Sequence, residues 1–286
     1  MNSKILKLPD GTIELTLTIP WETIQKTYDE VVEESIKNLE LSGFRKGKAP
    51  REMALKHIDT SKVYEEVIRL IIPKAYSDVV TKEGIRPIVT PKIELKQAKE
   101  KTDWIVRALT CERPKVTLGS YKQAITDLKA DKTKKIWTPG SDQKPEEEKA
   151  DKKQSIDDIL KSVYENVSVT LPSLLLEHEV NRLLSELIDQ TKKLGLTVEQ
   201  YLSSSGRTNE SVRLEYAQQA KRTLTLELAI EEIADKEGIL VSDDDIDMVI
   251  KTAKSDQEKT ALQKERYYLA SILRRQKTLD FLSAIV

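Results

Sequence analysis

Along residues 12–19 apolar and polar positions alternate strictly, with Ile13, Leu15, Leu17 and Ile19 set against Thr12, Glu14, Thr16 and Thr18. A period of two is that of a half-buried strand, and threonine suits its solvent face. Pro20 ends it. The period then changes: over residues 21–40, Ile24, Tyr28, Val31, Val32, Ile36 and Leu39 recur at spacings of three and four, one stripe of an amphipathic helix. A short helix is expected to open at Pro50, where the missing N–H costs nothing. A longer one over about residues 61–83 is stopped by Gly84. Strand-like stretches follow near 88–95 and 103–111, so residues 1–115 read as one small α+β domain.

Residues 129–155 differ in kind. Of these 27 positions 14 are charged, only Ala130, Ile136, Trp137 and Ala150 are apolar, and Pro139, Gly140 and Pro145 break any helix. Such a stretch buries too little surface to offset its ordering entropy, so residues 116–154 are expected to form an extended segment and a charged linker. From about residue 155 the period is 3.6. Leu176, Val180, Leu183, Leu184 and Leu187 form a stripe that Gly195 ends, and Thr197 with Gln200 fits a capping box. A long helix is expected from Asn209 to Lys236 with Gly238 at its end, and Ser242 with Asp245 resembles another N-terminal cap. A last helical pair covers about 243–254 and 257–284, which makes residues 155–286 an all-helical domain with breaks at Leu171-Pro172 and at 239–242.

Composition narrows the function. The 286 residues are 38% apolar, 33% charged and 5% aromatic. Ordinary globular chains are about 45–50% apolar with glycine counted, and about a quarter charged. Less core per residue implies elongated or multi-lobed packing. With two phenylalanines, a large aromatic-lined pocket is not expected. Neither GxGxxG nor GxxxxGK[ST] occurs, so no cofactor or nucleotide is implied. His57 and His178 lie far apart without a Cys/His cluster, which argues against a zinc-type metal site. Cys111 falls in a strand-like alternation and reads as a small buried apolar residue rather than a nucleophile. No catalytic residue is assigned. The N-terminus, MNSKILKLPDG, lacks the apolar core of a signal peptide and no run approaches a membrane span, so a soluble cytoplasmic protein without a membrane partner is expected.

A net charge of −1 gives no global field, so any basic site must be local. One exists. Between the first two helices runs Gly43-Phe44-Arg45-Lys46-Gly47-Lys48-Ala49-Pro50. Two glycines free the backbone, Phe44 offers a ring, and Arg45, Lys46 and Lys48 place three cations in four residues. Arginine forks onto phosphate oxygens, lysine adds point charge, and the ring can stack or insert. The same residues also describe a solvated basic turn with Phe44 folded into the core.

The string GFRKGKAP resembles the ribosome-docking signature of the bacterial trigger factor family, GFRxGKxP. Gly43, Phe44, Arg45, Gly47, Lys48 and Pro50 match its fixed positions, after a strand and a long helix and before a short helix opened by proline. The break at Leu171-Pro172 followed by LLLEHEVNRLL is similar to a turn between arm helices in the family's C-terminal domain. The resemblance implies an α+β N-terminal ribosome-binding domain, joined by a charged linker to an all-α C-terminal domain with helical arms. It implies as partners the ribosomal protein beside the exit tunnel, ribosomal RNA, and nascent or unfolded polypeptides, with Lys46 joining the docking residues. Monomer and homodimer both stay open.

The family usually carries an FKBP-like prolyl isomerase domain of roughly a hundred residues between these parts, the size of a small domain. Residues 113–170 offer only Tyr121, Trp137 and Tyr164 as aromatics, and the isomerase domain is therefore expected to be absent. The expected function is an ATP-independent, ribosome-associated chaperone rather than an enzyme. An isomerase, a docking factor without holding activity and an extracytoplasmic chaperone are the alternatives. Leu183, Leu187, Ile188, Ile230, Ile233, Leu269 and Leu273 are the candidates for a client surface, and at each of them helix–helix core is the competing reading.

Overall fold

The alternating segment becomes an inner strand of a four-stranded antiparallel sheet. The computed structural model describes residues 2–42, 44–46, 50–135, 156–253 and 255–285. They form two compact units, Met1–Arg113 with Pro172–Leu175, and Pro114–Leu171 with Leu176–Val286.

In the first unit β1 (Asn2–Lys7), β2 (Thr12–Ile19), β3 (Lys92–Gln97) and β4 (Trp104–Cys111) lie in the order β1-β2-β4-β3. Leu17 pairs with Val106 and Leu15 with Ala108, so both inner strands send apolar side chains to one face. Helices α1 (Trp21–Asn38) and α3 (Thr60–Lys82) cover that face with Ile24, Val31, Val32, Val63, Val67 and Ile71. On the opposite face Arg107 bridges Glu14 at 2.6 Å and Glu94 at 3.2 Å. Ladder and ion pairs thus tie three strands together. Cys111 is fully buried, and burial pushes its thiol up to about 11, the state of an inert core residue.

The β1–β2 turn has a second task. Gly11 takes φ 88°, a left-handed conformation open to glycine, and the turn aims Asp10 back at the chain. Its carboxylate accepts from the Thr12 N–H at 2.9 Å, the Thr12 hydroxyl at 2.9 Å and the Ser173 N–H at 3.0 Å. Ser173 is the first residue of α6 (Ser173–Lys193), so Asp10 caps that helix from 163 positions away in the chain. Burial pushes the Asp10 carboxyl up, but the hydrogen bonds from Ser173 and Thr12 outweigh it and hold the group well below the usual carboxylate range. Asp10→Ala is expected to cost about 1–2 kcal/mol near neutral pH, the scale of a lost cap. A depressed folded-state pKa gives stability that is complete above the unfolded value, about 4, and is lost as pH falls toward the folded one. Urea melts should therefore show the gap between wild type and variant closing below about pH 4. An unchanged gap would contradict the cap.

The second unit is helical apart from one ribbon. In it β5 (Val116–Leu118) pairs antiparallel with β6 (Val167–Val169), so residues 155–286 are not helical throughout. Where charge content predicts an extended segment, α4 (Tyr121–Lys135) is a helix. Tyr121, Ala124, Ile125 and Leu128 share one face of it, and Tyr121 and Ile125 are buried against α5 (156–165), α8 (Asn209–Lys236) and α11 (Arg266–Ala284). Burial of that face outweighs the cost of ordering its charged positions. Residues 136–155, with Trp137, lie outside the described residues. The predicted helix over 257–284 is broken at Glu265 into α10 (Asp256–Lys264) and α11. With α9 (Asp243–Lys251) they enclose a small cluster around Ile246, Ile250 and Leu269. A further cluster joins α6, α7 (Val198–Ser204) and α8 through Leu187, Leu202 and Val212.

Candidate functional site

Helix α1 stops at Asn38, and the Leu39 N–H turns back to the Ile36 carbonyl at 3.3 Å. A short loop follows, in which the Phe44 N–H donates to the Leu41 carbonyl at 3.0 Å. Pro50, at φ −55° and ψ 138°, leads into α2 (Arg51–His57), as expected of a residue without an N–H to lose. Phe44 is 39% exposed, so its ring is presented rather than folded away, and Arg45 and Lys46 beside it are exposed. Neither cation makes an ion pair among the described residues. Gly43, Gly47 and Lys48 lie outside the described residues.

Helix α2 extends this surface in a way that the charge pattern does not announce. Only Ala54 of its seven residues is buried, and Met53 and Leu55 stand open to solvent. The signal was present, because REMALKH offers no apolar stripe able to bury the helix. Arg51 reaches back to Glu33 of α1 at 3.3 Å and fixes the base of the loop. Below lies an acidic strip of α1 formed by Asp29, Glu30, Glu33 and Glu34. The result is an exposed ring and two apolar side chains among cations, able to meet a partner that is both anionic and apolar.

The seven candidate client residues are not brought onto one surface. Leu183, Leu187, Ile230, Ile233 and Leu269 are buried, and Leu273 is half-buried against the Ile246 cluster. Only Ile188 is exposed. A stripe at helical spacing is the side a helix packs, which is why periodicity selects core rather than surface. The open apolar side chains of the second unit are instead Leu194, Leu214, Leu240, Met248, Tyr267 and Tyr268. They fall off the stripes, and hydrophobic residues without periodic neighbours are the signal that finds them.

Other chemistry is sparse. Among the described residues no group of three or more His, Cys, Asp or Glu side chains could hold a metal ion, and no helix is long and apolar enough to cross a membrane.

Comparison with known proteins joins the two halves. A family model for the bacterial trigger factor protein matches residues 1–136, and one for the trigger factor C-terminus matches residues 141–284. The trigger factors of Staphylococcus aureus strains JH9 and Newman are each 32% identical over 108 residues, 38% of this chain and 25% of theirs. The match thus spans about a quarter of the length of these curated relatives. A solved structure from work on promiscuous substrate recognition in folding and assembly by the trigger factor chaperone shares the fold, with a TM-score of 0.66 at 16% identity over 100% of both chains. With the signature of residues 43–50 sited between α1 and α2 and both halves matched in order, the chain belongs to the bacterial trigger factor family.

Proposed function

We propose that this protein is a ribosome-docked, ATP-independent chaperone that holds nascent or unfolded polypeptides in the cytoplasm and carries no isomerase domain. The observation that carries the reading is the exposed Phe44 flanked by unpaired Arg45 and Lys46 at the loop between α1 and α2. Arg45 and Lys46, with Lys48, neutralise ribosomal RNA phosphate or acidic side chains of the ribosomal protein at the tunnel exit, and Phe44 enters an apolar socket there. Gly43, Gly47 and Pro50 shape the loop. The open apolar side chains from Leu194 to Tyr268 support a client surface in the second unit, scattered among polar groups so that binding is broad and reversible. The two family matches run nearly end to end, at 1–136 and 141–284, which supports a chain with no inserted catalytic domain.

Ribosome pelleting tests the docking. Phe44→Ala/Arg45→Ala/Lys46→Ala is expected to lower the bound fraction about tenfold or more at about 0.1 M salt, and wild-type binding should weaken as salt rises because phosphate contacts release counterions. Equal pelleting of the two proteins would reject the assignment. Suppression of aggregation of an unfolded client by the same triple variant, undiminished in the absence of ribosomes, separates holding from docking.

A further inference from the structure

The first unit contains a cavity of about 380 Å³ on the side of α3 that meets the β3–β4 hairpin, away from the docking loop in the chain. Its walls are Tyr64, Ile68, Ala98 and Trp104, and its rim carries Ser61, Glu65 and Glu100. Three aromatic rings stand in series, Tyr28 to Tyr64 at 5.0 Å between centroids and Tyr64 to Trp104 at 6.1 Å. All of these groups are held in place. Asp59 caps α3 by accepting from the Ser61 N–H at 3.0 Å. The hairpin turn is fixed by Lys101 at φ 61° and by the Thr102 hydroxyl on the Lys99 carbonyl at 2.9 Å. Asp103, next to Trp104, accepts from the Trp21 N–H at the start of α1 at 2.9 Å.

Two features of this cavity are unbalanced. Glu65 and Glu100 are exposed and make no ion pair among the described residues, although Lys99 and Lys101 flank Glu100 in sequence. Burial, the Glu100 charge and Tyr28 together push the Tyr64 phenol up, so the site carries a net negative field at the ring. Trp104, 2% exposed, keeps its indole Nε1–H buried with no acceptor. An unmet buried donor costs about 1–3 kcal/mol. Aromatic faces and carboxylates together select a cation with an apolar stem, since a ring face attracts positive charge within about 6 Å. The free donor asks for a carbonyl close by. A lysine or arginine residue within a polypeptide offers stem, cation and backbone carbonyl in one group.

We propose that the Tyr64–Trp104 cavity is a receptor pocket for a lysine or arginine side chain of an extended polypeptide, with the stem against Tyr64, Ile68 and Trp104 and the cation between Glu65 and Glu100. The pocket lies outside the docking loop, so its failure would leave the ribosome assignment untouched.

The full-length protein, labelled with ¹⁵N, is titrated with the unstructured peptide acetyl-Gly-Ser-Gly-Lys-Gly-Ser-Gly-amide. Binding is read at the Trp104 indole resonance, identified by its loss in Trp104→Phe. A saturable shift is expected. Norleucine in place of the peptide's lysine should weaken binding about tenfold or more, as should Glu65→Gln/Glu100→Gln, a surface pair whose replacement leaves the melting temperature and ribosome pelleting unchanged. n-Butylammonium, the cation without a peptide, should bind about tenfold more weakly than the peptide, having no carbonyl for Trp104. Equal binding of the norleucine peptide, equal binding by the double variant, or no shift up to about 10 mM peptide would overturn the proposal. Butylammonium binding as tightly as the peptide would overturn the polypeptide as its occupant.

Discussion

An Ile233→Ala variant should lose about 2–5 kcal/mol of unfolding free energy, the range for emptying a buried aliphatic site. Ile233 is fully buried at a point where Tyr121 and Ile125 of α4, Ile159 and Val163 of α5, Ala229 of α8 itself and Leu282 of α11 converge. Three carbons removed there forfeit about 0.8 kcal/mol each in transfer free energy, and four helices cannot all relax into the space left behind. Ile188→Ala, at a side chain 39% exposed, should change stability by no more than about 0.5 kcal/mol. Urea denaturation followed by helical circular dichroism measures both. Similar losses in the two variants would mean that the burial described around Ile233 is wrong. The contrast matters for function: diminished chaperone activity in the Ile233 variant reports folding, whereas Ile188 is a place where client contact can be tested in an intact protein.

Gly119→Ala should be destabilising by about 1–3 kcal/mol, against the usual direction for a glycine with an ordinary backbone conformation. Gly119 has no left-handed φ, so alanine could adopt its backbone angles and would ordinarily stabilise by restricting the unfolded chain. The obstacle is local: an added Cβ would stand 2.4 Å from the Asn166 carbonyl oxygen, the same oxygen that accepts the Gly119 N–H at 2.9 Å. That oxygen has little freedom to withdraw. The Asn166 N–H is bound to the Val163 carbonyl at 3.1 Å, and its side-chain amide to the Ser162 carbonyl at 2.9 Å. Relief must come from opening the β5–β6 ribbon. Amide exchange should accelerate over residues 116–119 and 166–169 in the variant. A variant as stable as the wild type, with those amides still protected, would contradict the close approach.

Elements that bury a regular face were readable from the sequence. The strand at residues 12–19, the stripe of α1, the proline-led start of α2 and the span of α8 all follow from periodicity and end signals. The Thr197–Gln200 capping box forms with both hydrogen bonds, and the Ser242–Asp245 pair closes the same way. Elements whose stability comes from elsewhere were not readable. β1 is an edge strand with mostly exposed side chains, so NSKILK carries no clean alternation, and its pairing with β2 supplies what its own pattern lacks. β5 and β6 are three residues each, too short for a period, although valine and threonine at 116, 117, 167 and 169 suit a ribbon. In α4 the apolar positions at 121, 124, 125 and 128 were masked by the charges around them. The predicted strand near 88–95 begins only at Lys92, after Pro91, while the Ile88 N–H makes a single bond to the Cys111 carbonyl. At the site, loop composition marked Phe44, Arg45 and Lys46. Met53 and Leu55 carry no charge or motif, and their exposure follows only from how little of α2 is buried.

The Asp10–Ser173 bond has a consequence for the order in which the protein is made. The first unit is not contiguous in the chain: it takes in Met1–Arg113 and then Pro172–Leu175, with Leu174 and Leu175 buried. A polypeptide leaves its own ribosome N-terminus first, so the sheet and its two helices are available long before the piece that completes them. With about 60 residues intervening, and synthesis at about 5–20 residues per second, the unit waits roughly 3–12 s for Ser173. Until then Asp10 stands as an unengaged carboxylate at the sheet's turn. A fragment cut after Arg113 preserves that unfinished state, and one ending beyond Leu175 is the shortest that carries the whole unit.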